Sequence, residues 1–297
     1  MTRRPHPTLE MARYGVREAT RNRIAGIGVA VGLLLLGLYG WGLHAALARL
    51  AAAPLPLGAT SPSGPAGTLA RELLVQESAP LALWLASLVG VALAAVLGAG
   101  ATAGELEAQV ALATLARPVS RAQWFFGKAL GTGLVLSVLL GGLLLGVMGL
   151  TRWIAGVAPM AWAGATGLVL LEGWVVLSVA LMLGTRLAPL ATVVTTVLLY
   201  GLSLVGVFLG FVAALAGSGG RTLENLSTVL MLVFPASGLY ARAANLMTGA
   251  SPLAGMAAGP LAGGATAPSS ALTLWALGYV AMALAAGWAL FRGREIG

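Results

Sequence analysis

A few side chains have types and spacings that could do chemistry. Glu105 and Glu107 precede Arg117, Arg121 and Lys128 in one short stretch. Cations in such a stretch meet lipid phosphates or a partner's carboxylates. Glu172 stands alone in an apolar run. An acid at membrane depth marks a functional position by default. Its roles include contact with a substrate cation, proton carriage and pairing across a subunit interface. A neutral or internally hydrogen-bonded acid facing the bundle is the plainer alternative. No intramembrane Lys or Arg is an obvious partner for it. His44 reads as an interfacial polar residue rather than a ligand. There are nine Met, no Cys and two His, so the Met are read as flexible apolar filler and no metal site is assigned. The serine-hydrolase and zinc-protease signatures are missing, as are paired acids. Gly127-Lys128 does not close a phosphate-binding loop, because positions 122 and 129 are both Ala. No catalytic residue is assigned.

The elements that hold these residues follow from composition. The chain has 297 residues, of which 59% are hydrophobic and only 9% charged. An ordinary soluble domain carries about 25% charged residues. Mean hydropathy is +0.93. These values exclude a soluble globular enzyme, a disordered protein and a nucleic-acid-binding domain. The net charge of +8 comes from 16 Arg and one Lys against nine Glu. In a membrane protein such cations orient helices and touch anionic lipid.

A membrane span needs about 20 mostly apolar residues. Six segments qualify: 24–46, 80–103, 124–150, 161–183, 187–216 and 269–291. All are expected to be helices, since lipid leaves no backbone group unpaired and no alternating strand pattern appears. The run 226–234 is too short to cross and reads as re-entrant or interfacial, within outer helices over 223–247. With the N-terminus inside, inner segments hold 12 Lys and Arg and outer segments five. The positive-inside rule then places both termini in the cytoplasm and the chain in the inner or plasma membrane as a multi-pass protein. The first apolar stretch exceeds the 7–15 residues of a signal-peptide core, so it reads as an uncleaved helix. The whole of 1–297 is one transmembrane domain.

Between the spans, 8–23 reads as an interfacial helix with Arg13, Arg17 and Arg21 on one face, set among lipid phosphates or against a cytoplasmic partner. The outer loops are 47–79, irregular over its Pro-rich part, and 217–268. Trp84, Trp124, Trp153 and Trp162 fall near expected boundaries, as an aromatic belt would place them. Gly131, Gly133, Gly141, Gly142 and Gly146 suit close helix contact in a bundle or dimer. The stretch 104–121 reads as a short cytoplasmic helix. Glu105 and Glu107 lie in its first turn, Val110, Leu112 and Leu115 form apolar patches, and Pro118 stops it. By this reading Arg121 and Lys128 meet lipid phosphates or a partner.

This loop resembles one family. Permease subunits of ABC-2-type exporters carry, after the second span, a pattern close to E-x-E-x-G-T-L-E-L-L-L-x-x-P-[VI]-S-R, then five residues and G-K. Glu105, Glu107, Pro118, Val119, Ser120, Arg121, Gly127 and Lys128 fall on that spacing. Gln109 stands where Gly is usual and Leu112 where an acid is usual. Ala12-Arg13-Tyr14 with Arg21-Asn22-Arg23 is similar to the family's N-terminal elbow. Phe234-Pro235, Leu239 to Arg242 and Asn245-Leu246 are similar to a stretch of the NosY-like branch, whose permeases serve nitrous-oxide reductase maturation and copper-site assembly.

The resemblance implies an all-α permease of six spans with an elbow helix, a coupling helix and an outer re-entrant helix. It implies that Glu105, Glu107, Leu115, Pro118, Ser120, Arg121 and Lys128 couple the chain to a separate cytoplasmic ABC ATPase. The complex would hold two copies of each subunit. ATP and Mg would sit in the partner, and this chain would hold no cofactor and be no enzyme itself. The function implied is export of a substrate, or transmission of force to an outer partner protein. In this family the second and fifth spans line the path, which here is mostly apolar and would suit a lipid-like, peptidic or hydrophobic drug substrate. A proton-coupled carrier using Glu172 is the alternative from another class, although its expected inverted repeats are not found.

Overall fold

The computed structural model describes residues 13, 15–17, 23–52, 65–108, 120–248 and 268–293. Its helices are α1 (Arg23–Ala52), α2 (Pro65–Ala99), α3 (Arg121–Ala155), α4 (Trp162–Gly184), α5 (Pro189–Ala216), α6 (Arg221–Val233), α7 (Ala236–Thr248) and α8 (Ser270–Arg292). No strand occurs among the described residues. A π-helical segment, Gly100–Gly104, carries α2 on into Glu105–Glu107, and a 3-10 turn, Gly217–Gly220, joins α5 to α6. Six helices (α1 to α5 and α8) are long and apolar enough to cross a membrane, and the shortest has 23 residues. At 1.5 Å per residue that is about 35 Å, enough for a hydrocarbon core of about 30 Å. The chain is a multi-pass helical membrane protein.

The helix ends follow local chemistry. Ser120 caps α3 in a reciprocal box: its Oγ accepts from Gln123 N at 3.2 Å, and Ser120 N donates to Gln123 Oε1 at 2.9 Å. Gly156 ends α3 with φ +74°, a left-handed conformation that suits glycine. Pro189 opens α5 where a missing N–H costs nothing.

The six spans alternate in direction. α1 and α3 run parallel, with Leu36 against Gly146 and Tyr39 Oη 2.8 Å from Thr151 Oγ1. α2 runs against both, with Gly28 beneath Leu93 and Gly90 beneath Leu140. α4 fills the centre: Leu177 and Leu181 are fully buried, and Gly98 of α2 lies against Ala180. The Trp174 ring of α4 fills the space beside Gly133 of α3. Three glycines of the third span thus serve contacts within the chain, with Gly146 admitting Leu36, Gly133 admitting Trp174 and Gly131 facing Gly15, whereas Gly142 is exposed. The described bundle has a Lys128 end and a Trp162 end.

Two expectations change. The loop expected over 47–79 is largely helix, because α1 reaches Ala52 and α2 starts at Pro65. Of its expected irregular part, 54–64 lies outside the described residues. Charges at Arg71, Glu72 and Glu77 disguise the helix. All three are exposed, while Val75 and Ala79 in the same helix are buried. The second span therefore begins a full 15 residues before the expected position 80. Pro80 is inside α2 and removes one backbone donor. Cross-helix bonds tie that region: Tyr240 Oη donates to Pro80 O at 3.1 Å, and Gln76 Nε2 donates to Thr248 O at 2.9 Å. The second change concerns the belt. Trp124 and Trp162 are buried against protein, and Trp153 is 83% exposed.

α6 and α7 form a helical pair bent by 111° at Phe234-Pro235. The bend sits beside Ser203, near the middle of α5. Ser203 Oγ donates to Phe234 O at 2.5 Å and lies 2.5 Å from Ser237 Oγ. α6 descends along α5, where Gly206 admits the Leu230 side chain and Gly220 lies against the Ala213 backbone. α7 climbs back through the core, almost wholly buried, until Leu246 meets Gly164. Both ends of the pair thus lie at the Trp162 end, the geometry of a re-entrant hairpin.

The chain has no cysteine, so single replacements report topology cleanly. Arg221→Cys and Leu246→Cys should react with a membrane-impermeant maleimide from the same side, and Glu107→Cys only from the other. Opposite labelling at 221 and 246 would turn the hairpin into a seventh span.

Candidate functional site

At the Lys128 end several elements meet beside residues 108 and 120, which flank 109–119 in the sequence. The π-helical segment Gly100–Gly104 of α2 places an extra residue in the turn, a feature common at functional positions. Thr102 Oγ1 donates to Gly98 O at 3.0 Å, and its side chain packs against Gly184 at the end of α4. The next residue after the segment is Glu105, 5% exposed, and its carboxylate pairs with the ammonium of Lys128, 1% exposed. Two buried charges in contact require one another: losing either strands the other in a low-dielectric site.

Around this pair the helix ends are bolted together. Arg121 Nη1 donates to Arg292 O at 2.8 Å, and Arg186 Nη2 donates to Leu290 O at 3.1 Å. Both guanidinium groups satisfy carbonyls at the end of α8, where cations also complement the helix dipole. Trp124 stacks on Phe291 with ring centroids 4.9 Å apart, and Arg292 lies over the Trp288 ring at 5.4 Å. The N-terminal helical residues join here too, with Gly15 facing the backbone of Gly127, Lys128 and Gly131. Arg13 and Arg17 are exposed beside it.

The sequence-predicted residues divide as follows. Glu105 and Lys128 come together, and Ser120 and Arg121 stand at the start of α3 at the same end of the bundle. Glu107 is close by in sequence and exposed. Leu115, Pro118 and Arg21 lie outside the described residues. Two roles change. Lys128 meets Glu105 of its own chain rather than lipid or a partner, because both side chains are buried between α2 and α3. Glu105 and Glu107 extend α2 through the π-helical segment, since the backbone stays helical across Gly104, instead of opening a separate helix. Ser120 also has a structural duty, the cap of α3.

Glu172 lies elsewhere, near the middle of α4 and 1% exposed. Ser87 Oγ of α2 donates to Glu172 Oε2 at 2.8 Å. Tyr200 of α5 and Tyr240 of α7 are near enough to interact electrostatically with the carboxyl. Glu172 Oε1 and Tyr200 Oη are buried without a partner in strict hydrogen-bond geometry among the described residues. The cluster joins α2, α4, α5 and α7 through polar groups inside the apolar core. The acid was evident from sequence; Ser87, Tyr200 and Tyr240 were not assigned to it. A tyrosine at the middle of a span, away from the interfaces that tyrosines favour, was the available signal.

The Lys128 end is a stiff platform, with a buried ion pair at its centre and exposed charge at its edge. Glu105→Gln and Lys128→Met should each lower stability by about 3–5 kcal/mol, as loss of one member of a buried pair does. The double variant Glu105→Leu/Lys128→Met should recover most of that loss. Thermal unfolding of the detergent-solubilised chain measures both, and singles that equal wild type would remove the pair from the core of the site.

Neither the comparison with family models nor that with curated proteins gives a match to this chain.

Proposed function

We propose that this chain is the membrane permease subunit of an ABC-2-type transporter, working as a dimer with two copies of a separate cytoplasmic ATPase. The observation that carries the proposal is the loop root: the buried Glu105–Lys128 pair joins the two helices that flank 109–119. The E-x-E, P-V-S-R and G-K residues supply the likeness, and their described members cluster at one end of the bundle. Nucleotide-driven movement of the partner would press on 109–119. The paired charges and the π-helical segment would pass it to α2, and the capped start of α3 with its Arg121 tie would pass it to α8. The Lys128 end faces the cytoplasm in this reading, in keeping with the excess of Arg and Lys there. Substrate export and transmission of force to an outer partner both fit such a machine. The NosY-like branch rests on the Phe234 to Leu246 stretch, which here forms the re-entrant bend and α7.

A second reading keeps Glu172 as a proton carrier. Its burial beside Ser87 and two tyrosines favours this, since an acid retained at membrane depth is costly unless used or satisfied.

Co-expression of the tagged chain with an ATPase encoded beside it tests the first reading. A 2:2 complex with vanadate-sensitive turnover is expected. Glu107→Arg, at an exposed position, should abolish at least 80% of the membrane-dependent stimulation, roughly the loss of about 1 kcal/mol of coupling, with expression unchanged. Arg121→Glu should do the same while also loosening α8. A chain that purifies without any ATPase, and whose transport collapses with a protonophore and in Glu172→Gln, would establish the carrier instead.

A further inference from the structure

At the Trp162 end a cavity of about 520 Å³ opens between α5, α6 and the start of α8. Its size is within the usual range for sites that hold a drug-sized molecule. The α5 wall is made of small residues, Gly210, Ala213 and Ala214, which give the cavity depth. Leu272 and Met231 supply apolar surface, and the Trp275 ring lines the α8 side. Trp275 Nε1 donates to Leu232 O at 3.0 Å, which joins α8 to α6 at the cavity wall and fixes the ring.

The orientation of α6 gives the cavity its chemistry. Glu224, Ser227, Thr228 and Met231 follow a spacing of three, four and seven residues, so they share one helix face, and that face lines the cavity. The opposite side exposes Leu226, Val229 and Val233. In a bilayer this is an amphipathic helix with its apolar side toward lipid and its polar side toward protein. Thr228 Oγ1 is already used, donating to Glu224 O at 2.9 Å. Among the described residues, Glu224 is the only charged one in the lining. Arg221 lies one turn away on α6 outside the lining, and Arg242 is occupied with Pro268 O at 3.0 Å. A carboxylate and an indole ring beside apolar walls recognise a cation carried on an apolar body.

We propose that this cavity is a binding site for hydrophobic monocations, with Glu224 as the charge partner and Trp275 as the aromatic wall. The site stands on its own geometry and does not depend on an ATPase. It is separate from Glu172, which lies deep in the core on α4.

Two ions of nearly equal shape and opposite charge make the test. Purified full-length protein in nanodiscs of neutral lipid is titrated with radiolabelled tetraphenylphosphonium, with empty nanodiscs subtracted, and in parallel with tetraphenylborate. Saturable binding of the cation is expected, with no saturable binding of the anion. Glu224→Gln should weaken cation binding at least tenfold without changing the melting temperature. Trp275→Leu should weaken it severalfold, and Glu172→Gln should leave it unchanged. Equal binding of the two ions, no saturable binding of the cation, or wild-type affinity in Glu224→Gln would each overturn the proposal. The cation–anion contrast is read on the wild-type chain, so it stands even if a variant folds poorly.

Discussion

Lipid offers no hydrogen bonds, so every interruption of a spanning helix must be satisfied from within the protein. That constraint organises this molecule. The sharpest interruption is at Phe234-Pro235, where α6 gives way to α7 beside the middle of α5. Ser203 meets it with one hydroxyl, donating to Phe234 O and accepting from Ser237 N at 3.3 Å. Pro80 interrupts α2, and bonds from Tyr240 and Gln76 tie α7 to the affected turn. The end of α8 leaves open carbonyls, and Arg121 and Arg186 fill two of them. At the Phe234-Pro235 bend and at the end of α8, side chains from elsewhere in the chain supply the missing partners. The repairs of helix defects are therefore also the ties between helices.

The remaining adhesion comes from close approach. Lipid tails are as apolar as leucine, so burial of apolar surface gives little drive for helices to associate. Packing decides instead, and small residues permit it. Gly98 brings α2 against Ala180 of α4, and Gly287 brings α8 against Met182 and Phe125. Gly133 makes room for an indole whose Nε1 donates to Ser137 Oγ at 3.1 Å. A glycine-rich composition that would weaken a soluble helix here sets the distances between helices.

Much of this was legible in the sequence, and the failures share a cause. Apolar length located all six spans because a bilayer fixes the length a helix must have. The short run before Pro235 read correctly as unable to cross unaided. Polar residues misled at the edges. Arg71, Glu72 and Glu77 suggested a loop, yet they are exposed residues within the helix α2. Lys128 suggested contact with lipid or a partner, because a sequence lists charges without showing which are adjacent. Glu105 lies 23 positions earlier, and only the antiparallel turn from α2 to α3 brings the two together. The same holds at Glu172, whose hydroxyl neighbours come from three other helices. A lone acid is visible in one dimension; its environment is not.

The two ends of the bundle differ mechanically. The Lys128 end is tied by an ion pair, two guanidinium caps, stacked rings and a helix cap. The Trp162 end holds a hairpin that enters and leaves on the same side, and a cavity left open between three helices. The proposed transporter, driven from the Lys128 end, needs stiffness there, since a force applied to a soft root is lost locally. It needs compliance at the other end, where helices must separate for anything to pass or for an outer surface to change shape. Between the two ends stands the Glu172 cluster, where Ser87 Oγ of α2 donates to Glu172 Oε2 of α4 at 2.8 Å, a bond that a small helix rotation would break. Apolar packing tolerates sliding, but a buried hydrogen bond is either made or left unmade at a cost of about 1–3 kcal/mol. In the proposed transporter such a bond would favour discrete arrangements over a continuum, as transmission between two ends requires.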